Sequence, residues 1–164
     1  MSIDVEVQSL LNTTRVGMLA TIGEAMPLAS AVPFVTLDGW VDLLLHLSTL
    51  AAHTQNLLRD PRVSLLIMEP DGPQKNPLAL TRLILQGTAS RMDHQDPMYD
   101  EFARRFTERF PDAAITMTLA DFQFWRLRFQ ASQFIAGFGR AYRAESSQSH
   151  VWQHQGRRDS SLNR

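Results

Sequence analysis

Cysteine is absent from the 164 residues. That excludes disulfides, thiolate metal sites, iron–sulfur clusters and a cysteine nucleophile, and it fits a reducing compartment. Charge of either sign in excess is lacking too. Sixteen Lys and Arg oppose seventeen Asp and Glu, for a formal net charge of −1, so no broad basic field recruits nucleic acid or an anionic membrane. No apolar run nears the roughly 20 residues of a membrane span. Residues 1–12 contain Asp4 and Glu6 and no basic stretch, unlike a secretory leader. There is no glycine-rich nucleotide loop, no Ser-His-Asp order, no metal-ligand spacing and no internal repeat. The carboxylate pairs Asp93/Asp96 and Asp100/Glu101 read as caps and solvated helix charge, not as an acid–base pair. The expectation is a cytoplasmic protein that handles a small molecule.

The apolar content is that of an ordinary globular domain, and its pattern is mostly of short strands. Ile3, Val7, Leu10 and Leu11 fall at helical spacing. Strands are predicted over Val16–Ile22 and from Pro27 through Thr36, and Asp38-Gly39 signals a two-residue hairpin into Val41–Leu47. These three strands suggest an antiparallel meander. Residues 43–67 then read as strand, polar turn, short helix, Asp60-Pro61 break and strand, with Ser48 or Thr49 as helix cap and Leu50, Leu57 and Leu58 as the apolar side. Residues 69–77 are a loop, and Leu78–Met92 is a long strand bent at Gly87. A helix follows Pro97, with Met98, Phe102, Phe106 and Phe110 on one face. Phe122–Phe129 alternates, but Arg126 and Arg128 share a face with two phenylalanines. Phe134–Tyr142 reads as a strand whose glycines mark a bulge or a close approach. The domain is expected over 1–143, with a mobile polar tail over 144–164. About six short antiparallel strands with outer helices point to a small closed β-barrel.

The turn before the short helix offers Ser48, Thr49, His53 and Thr54 beside free backbone N–H groups, a setting that suits one phosphate. Capping by Ser48 and plain solvation of His53 and Thr54 serve the same residues equally.

Three stretches carry a resemblance: Pro27-Leu-Ala-Ser-Ala-Val-Pro-Phe, Leu47-Ser-Thr-Leu-Ala-Ala-His-Thr-Gln-Asn-Leu and Asp60-Pro-Arg-Val-Ser-Leu-Leu. Together they resemble the pyridoxamine 5′-phosphate oxidase-like split barrels. Asp121-Phe-Gln-Phe-Trp-Arg-Leu and Phe134-Ile-Ala-Gly-Phe-Gly-Arg-Ala are similar to the haem-utilisation branch of that superfamily. The resemblance implies a six-stranded antiparallel split β-barrel and a homodimer with the cofactor site at the interface. For FMN it implies Ser30, Ala31 and Val32 along the ring, Ser48, His53 and Thr54 at the phosphate, Asn56 within the same block, and Arg140 reaching an anion across the interface. Histidine stands at 53 where the oxidases carry lysine. An imidazole has a reference pKa near 6.5, so a phosphate site built on it is weaker and pH-dependent.

Three functions remain open at this point. The first is an FMN-dependent oxidoreductase of unknown substrate, with residues that bind rather than react. The second is a haem-binding or haem-degrading protein, for which His150 and His154 are the axial candidates. The third is a non-catalytic binding barrel. The main expectation is the first, with no other metal site.

Overall fold

The computed structural model of the chain describes residues 2–37, 39, 42–145 and 151–155. Six strands of seven residues or more build the barrel: β1 (Val16–Ile22), β2 (Pro27–Pro33), β4 (Asp42–Ser48), β5 (Arg62–Met68), β6 (Arg82–Arg91) and β7 (Phe122–Ile135). Three short strands extend them: β3 (Val35–Thr36), β8 (Ala141–Glu145) and β9 (Gln153–His154). The helices are α1 (Ile3–Thr13), α2 (Ala52–Arg59) and α3 (Tyr99–Arg109).

All pairings are antiparallel, in the order β2-β1-β5-β6-β7-β4-β3. The two ends of that path, β2 and β3, are one residue apart in sequence. Only a sheet that curls round can satisfy both facts, and β2 does approach β4. The split comes from β7. Its first half pairs with β4 from Phe122 to Arg128, and its second half leaves β4 and takes β8 from Ala131 to Ile135. The fold is therefore mainly β with flanking helices, as a split barrel.

Several local expectations are corrected. The first three strands are not a meander, because β5, β6 and β7 lie between β1 and β4. The predicted strand from Pro27 to Thr36 breaks at Phe34, whose buried ring fills the core while β3 crosses to the other sheet end. The Asp38-Gly39 hairpin exists, with Gly39 at φ +74°, but it is longer than two residues: Leu37 N–H bonds the Asp42 carbonyl. Phe134–Tyr142 is not one strand. Gly137 (φ +116°) and Gly139 (φ +76°) turn the chain between β7 and β8, a conformation other residues adopt only with strain. Part of the expected tail is also a strand, since β9 pairs with β8 and Trp152 Nε1 donates to Asp4 Oδ1 at 2.9 Å.

The bend expected at Gly87 is a bulge between Gln86 and Gly87. A Cβ at Gly87 would lie 2.0 Å from the Arg128 carbonyl oxygen, so only glycine lets β6 approach β7 there.

Strand alternation sorts the side chains into an inside and an outside. Leu19, Leu43, Leu45, Leu65, Leu83 and Phe129 fill the barrel. Helix α1 closes one end with Val7, Leu10 and Leu11. Helix α2 sits at the other end, against the β1–β2 hairpin, with Leu57 inserted. The outside is not uniform. Over β4 and β7 it is covered by α3, whose Phe102 and Phe106 pack on Leu44 and Phe124. Over β1, β2, β5 and β6 nothing from the described chain covers it.

Candidate functional site

The segment from Ser48 to Asn56 folds differently from its expected anion cradle. The N-cap of α2 is Ala51, with no side-chain capping bond. Ser48 sits before a tighter turn: its Oγ accepts from Leu50 N–H at 3.1 Å and donates to Asp121 Oδ2 at 2.7 Å. Thr49 N–H bonds the Asp121 carbonyl at 2.7 Å. Asp121 thus consumes the donors that a phosphate would need. Thr54 is fully buried, its Oγ1 without a partner. Asn56 is buried too, and its Nδ2 donates to Thr21 Oγ1 at 3.0 Å, pinning α2 to β1. His53 is half-buried, and desolvation lowers its pKa from the ordinary 6.5. The ring is neutral at pH 7 and attracts an anion poorly. On the expected apolar side of α2, only Leu57 is buried, while Leu50 and Leu58 are exposed.

The β2 residues divide by strand parity. Val32 is buried in the barrel core, Ser30 is half-buried on the same side, and Ala31 faces outward and is exposed. Three successive side chains cannot line one ligand from a strand.

Arg140 lies elsewhere, in the turn between β7 and β8. Its Nη2 donates to Glu6 Oε1 of α1 at 2.7 Å, an intrachain ion pair. His154 shares that neighbourhood. Its ring stands edge-on to Tyr142, with centroids 5.2 Å apart, and its Nε2 lies 3.2 Å from the Gly139 carbonyl oxygen. A carbonyl only accepts, so Nε2 carries the proton in this contact and a neutral ring leaves Nδ1 with a free lone pair. His150 lies outside the described residues.

What the sequence reading missed is the outer face of β1, β2, β5 and β6. The register aligns Ala31, Met18, Leu66 and Ile84 across four strands. Val16, Met18, Ile22 and Met68 are exposed on it, at 41–48% for the three β1 residues. Arg62, Arg82 and Arg143 stand around its margin by the same register. A depression of about 250 Å³ opens on this face between Ala20, Ile22, Pro27, Arg62, Ser64 and Gln86. The available signal was Val16-x-Met18-x-Ala20-x-Ile22: a strand apolar at the alternate positions as well as at Leu19 is covered on both sides.

No group of three or more acidic or histidine side chains is poised for a metal ion among the described residues. Among them, too, no helix is long and apolar enough to cross a membrane.

Comparison with known proteins follows the same line. The family model of pyridoxamine 5′-phosphate oxidase matches residues 3–136. The chain is 29% identical over 140 residues to heme oxygenase HutZ of Vibrio cholerae, covering 84% of this chain and 78% of that protein. It is 30% identical over 140 residues to the non-canonical heme oxygenase HOZ of Arabidopsis thaliana chloroplasts, covering 84% of this chain but 41% of that one. Among solved structures, a heme binding protein from Mycobacterium smegmatis superimposes with a TM-score of 0.77 at 30% identity, over 88% of this chain and 58% of that one. The expected FMN cofactor and flavin-dependent oxidoreductase are thereby corrected. The relatives are named for heme, and the Ser48–His53–Thr54 cradle that suggested flavin phosphate is taken up by internal bonds and burial. By the extent of the family match, the chain belongs to the pyridoxamine 5′-phosphate oxidase family.

Proposed function

We propose that the protein binds haem, as a cytoplasmic member of the haem-utilisation type, and that it does so as a homodimer whose two open faces enclose the ligand. The observation that carries this reading is the uncovered outer face of β1, β2, β5 and β6. A porphyrin is a broad apolar plate with two carboxylates at one edge. It needs apolar surface for the plate and cations for the carboxylates. Met18, Leu66 and Ile84 supply the first, and the marginal Arg62, Arg82 and Arg143 the second, guanidinium being well suited to carboxylate. A second copy of the chain would remove the remaining apolar surface from water, which stabilises association by about 25 cal/mol per Å² before the costs of binding.

The residues fit haem on a further point. A histidine that ligates a metal commonly donates its other ring N–H to a carbonyl, which fixes the tautomer. His154 has this arrangement with Gly139 and is the described residue best prepared to donate to iron, where an axial ligand sets the redox behaviour. When bound, haem supplies the iron and the ring chemistry. The chain supplies the plate, the counter-charges and the exclusion of water.

The test is a titration of the purified protein with hemin, followed by Soret absorbance. Saturable binding, weakened at least about tenfold in His154→Ala, is the expected result. A linear response without saturation would overturn the haem reading. Ascorbate and air added to the loaded protein separate a degrader, whose Soret band decays, from a carrier, whose band persists.

A further inference from the structure

The turn between β7 and β8 spends backbone conformation to place one ring in solvent. Phe138 is 84% exposed, between Gly137 and Gly139, both at positive φ. Neither glycine is required for space: the nearest atom to a Cβ at Gly137 is the Ala79 carbonyl oxygen at 3.9 Å, and none lies within 4 Å at Gly139. They are required for the shape of the turn. That shape is held firmly. Ala136 N–H bonds the Arg140 carbonyl at 2.9 Å, Arg140 N–H bonds the Gly137 carbonyl at 3.3 Å, and the Arg140 guanidinium ties the turn to Glu6 of α1. Turn tips are ordinarily polar, so a rigid tip presenting phenylalanine is built for a contact.

Its position narrows the occupant. Ile135 pairs with Arg82, and Arg82 with Met68, so the turn continues the row at the α1 end of the open face. His154 meets the same turn through the Gly139 carbonyl. An exposed aromatic ring, a histidine with a free ring nitrogen and a nearby arginine suit one planar, aromatic, anionic, metal-bearing ligand better than a polypeptide strand.

We propose that Phe138 is an aromatic platform that packs against the bound porphyrin and sets its orientation at the α1 end of the open face. This rests on the haem reading above. Offset or edge-to-face packing on the ring requires no hydrogen bond, and the fixed backbone limits the entropy lost on binding.

The experiment compares wild type, Phe138→Ala and Phe138→Tyr, all as the full chain, by hemin titration with Soret absorbance and by sedimentation velocity without ligand. The expected result is an affinity lower by about two- to tenfold in Phe138→Ala, the equivalent of one aromatic contact, with a displaced Soret maximum. Phe138→Tyr, which keeps the ring, stays within about twofold of wild type by the same argument. The apo melting temperature is unchanged in both. Equal affinity and an equal Soret maximum in Phe138→Ala, with wild type binding well, overturn the platform and leave the haem reading standing. A change in sedimentation without a change in haem affinity also overturns it, by assigning the ring to a second copy. Absence of saturable binding in wild type fails the haem reading itself, and the platform with it.

Discussion

The barrel has two outer faces with opposite fates. Over β4 and β7 the outward side chains run Asp42, Leu44, His46 and Ser48, opposite Arg128, Arg126, Phe124 and Phe122. The chain covers this face itself. Asp42, buried, receives Arg126 Nε at 2.8 Å and Arg128 Nε at 3.3 Å, which accounts for two arginines sharing a face with phenylalanines. Phe106 and Phe102 of α3 seal the middle. Over β1, β2, β5 and β6 the outward side chains are as apolar, yet the described chain offers nothing to cover them. An apolar face covered from within is part of the core; one left open is a surface for an occupant. Strand alternation cannot tell the two apart, because it reports that a face is apolar and not what meets it.

The largest difference between the faces should appear on truncation of α3. Phe106→Ala empties a site that is 2% exposed and is expected to cost about 3–5 kcal/mol in urea unfolding. An effect below about 1 kcal/mol would place Phe106 outside the core.

Acid should act next, and only on the covered face. His46 is buried among Phe106, Phe122 and Phe124, with ring centroids 4.5–5.6 Å away. Its Nδ1 lies 3.2 Å from Thr116 Oγ1, whose proton goes to the Ala113 carbonyl at 2.8 Å, so Nδ1–H is the donor. Burial lowers its pKa from 6.5 to about 4. The folded ring is neutral, and the unfolded ring takes up a proton below pH 6.5. This contribution is complete above 6.5 and is lost as pH falls towards 4, by about 3 kcal/mol. His46→Leu should flatten that part of the stability curve between pH 7 and 4. A curve parallel to wild type would show that another group governs acid unfolding.

The end of the barrel at Ser48 should respond less. Ser48→Ala breaks the bond to Asp121 and is expected to cost about 1 kcal/mol. If it instead abolished hemin binding with stability intact, the segment before α2 would belong to the ligand site after all.

The open face should tolerate most. Met18→Arg places a charge on an exposed strand position and should alter the stability of the isolated chain by about 0.5 kcal/mol or less. In a dimer closed over that face, the same charge would be buried without a partner, so self-association should fail.

The contrast also explains what was legible in the residues. Val16–Ile22 and the Phe102/Phe106 stripe were legible because local periodicity decides them, and Gly87 marked its bulge because a strand glycine has few other uses. The strand order was not, since β1 meets β5 and β4 meets β7 through long-range pairing that no local signal encodes. Gly137 and Gly139 were read as a bulge within a strand, because the flanking Phe134, Ile135, Ala141 and Tyr142 favour strand on both sides. For Ser48 and Thr54, residue type suggested donors for an anion. Their availability depended on Asp121, 73 residues away from Ser48, and on the burial of α2 against the barrel. The open face was visible in Val16, Met18, Ala20 and Ile22 but could be interpreted only once α3 was seen to lie elsewhere.

The central claim is that haem is held on the open face between two copies. Its most direct test is a hemin titration of Met18→Arg beside wild type, read by Soret absorbance together with sedimentation velocity. The account predicts that wild type saturates and sediments as a dimer, while Met18→Arg, with an unchanged melting temperature, sediments as a monomer and shows no saturable Soret band. Wild-type affinity in a folded Met18→Arg would contradict it and place the ligand elsewhere on the chain.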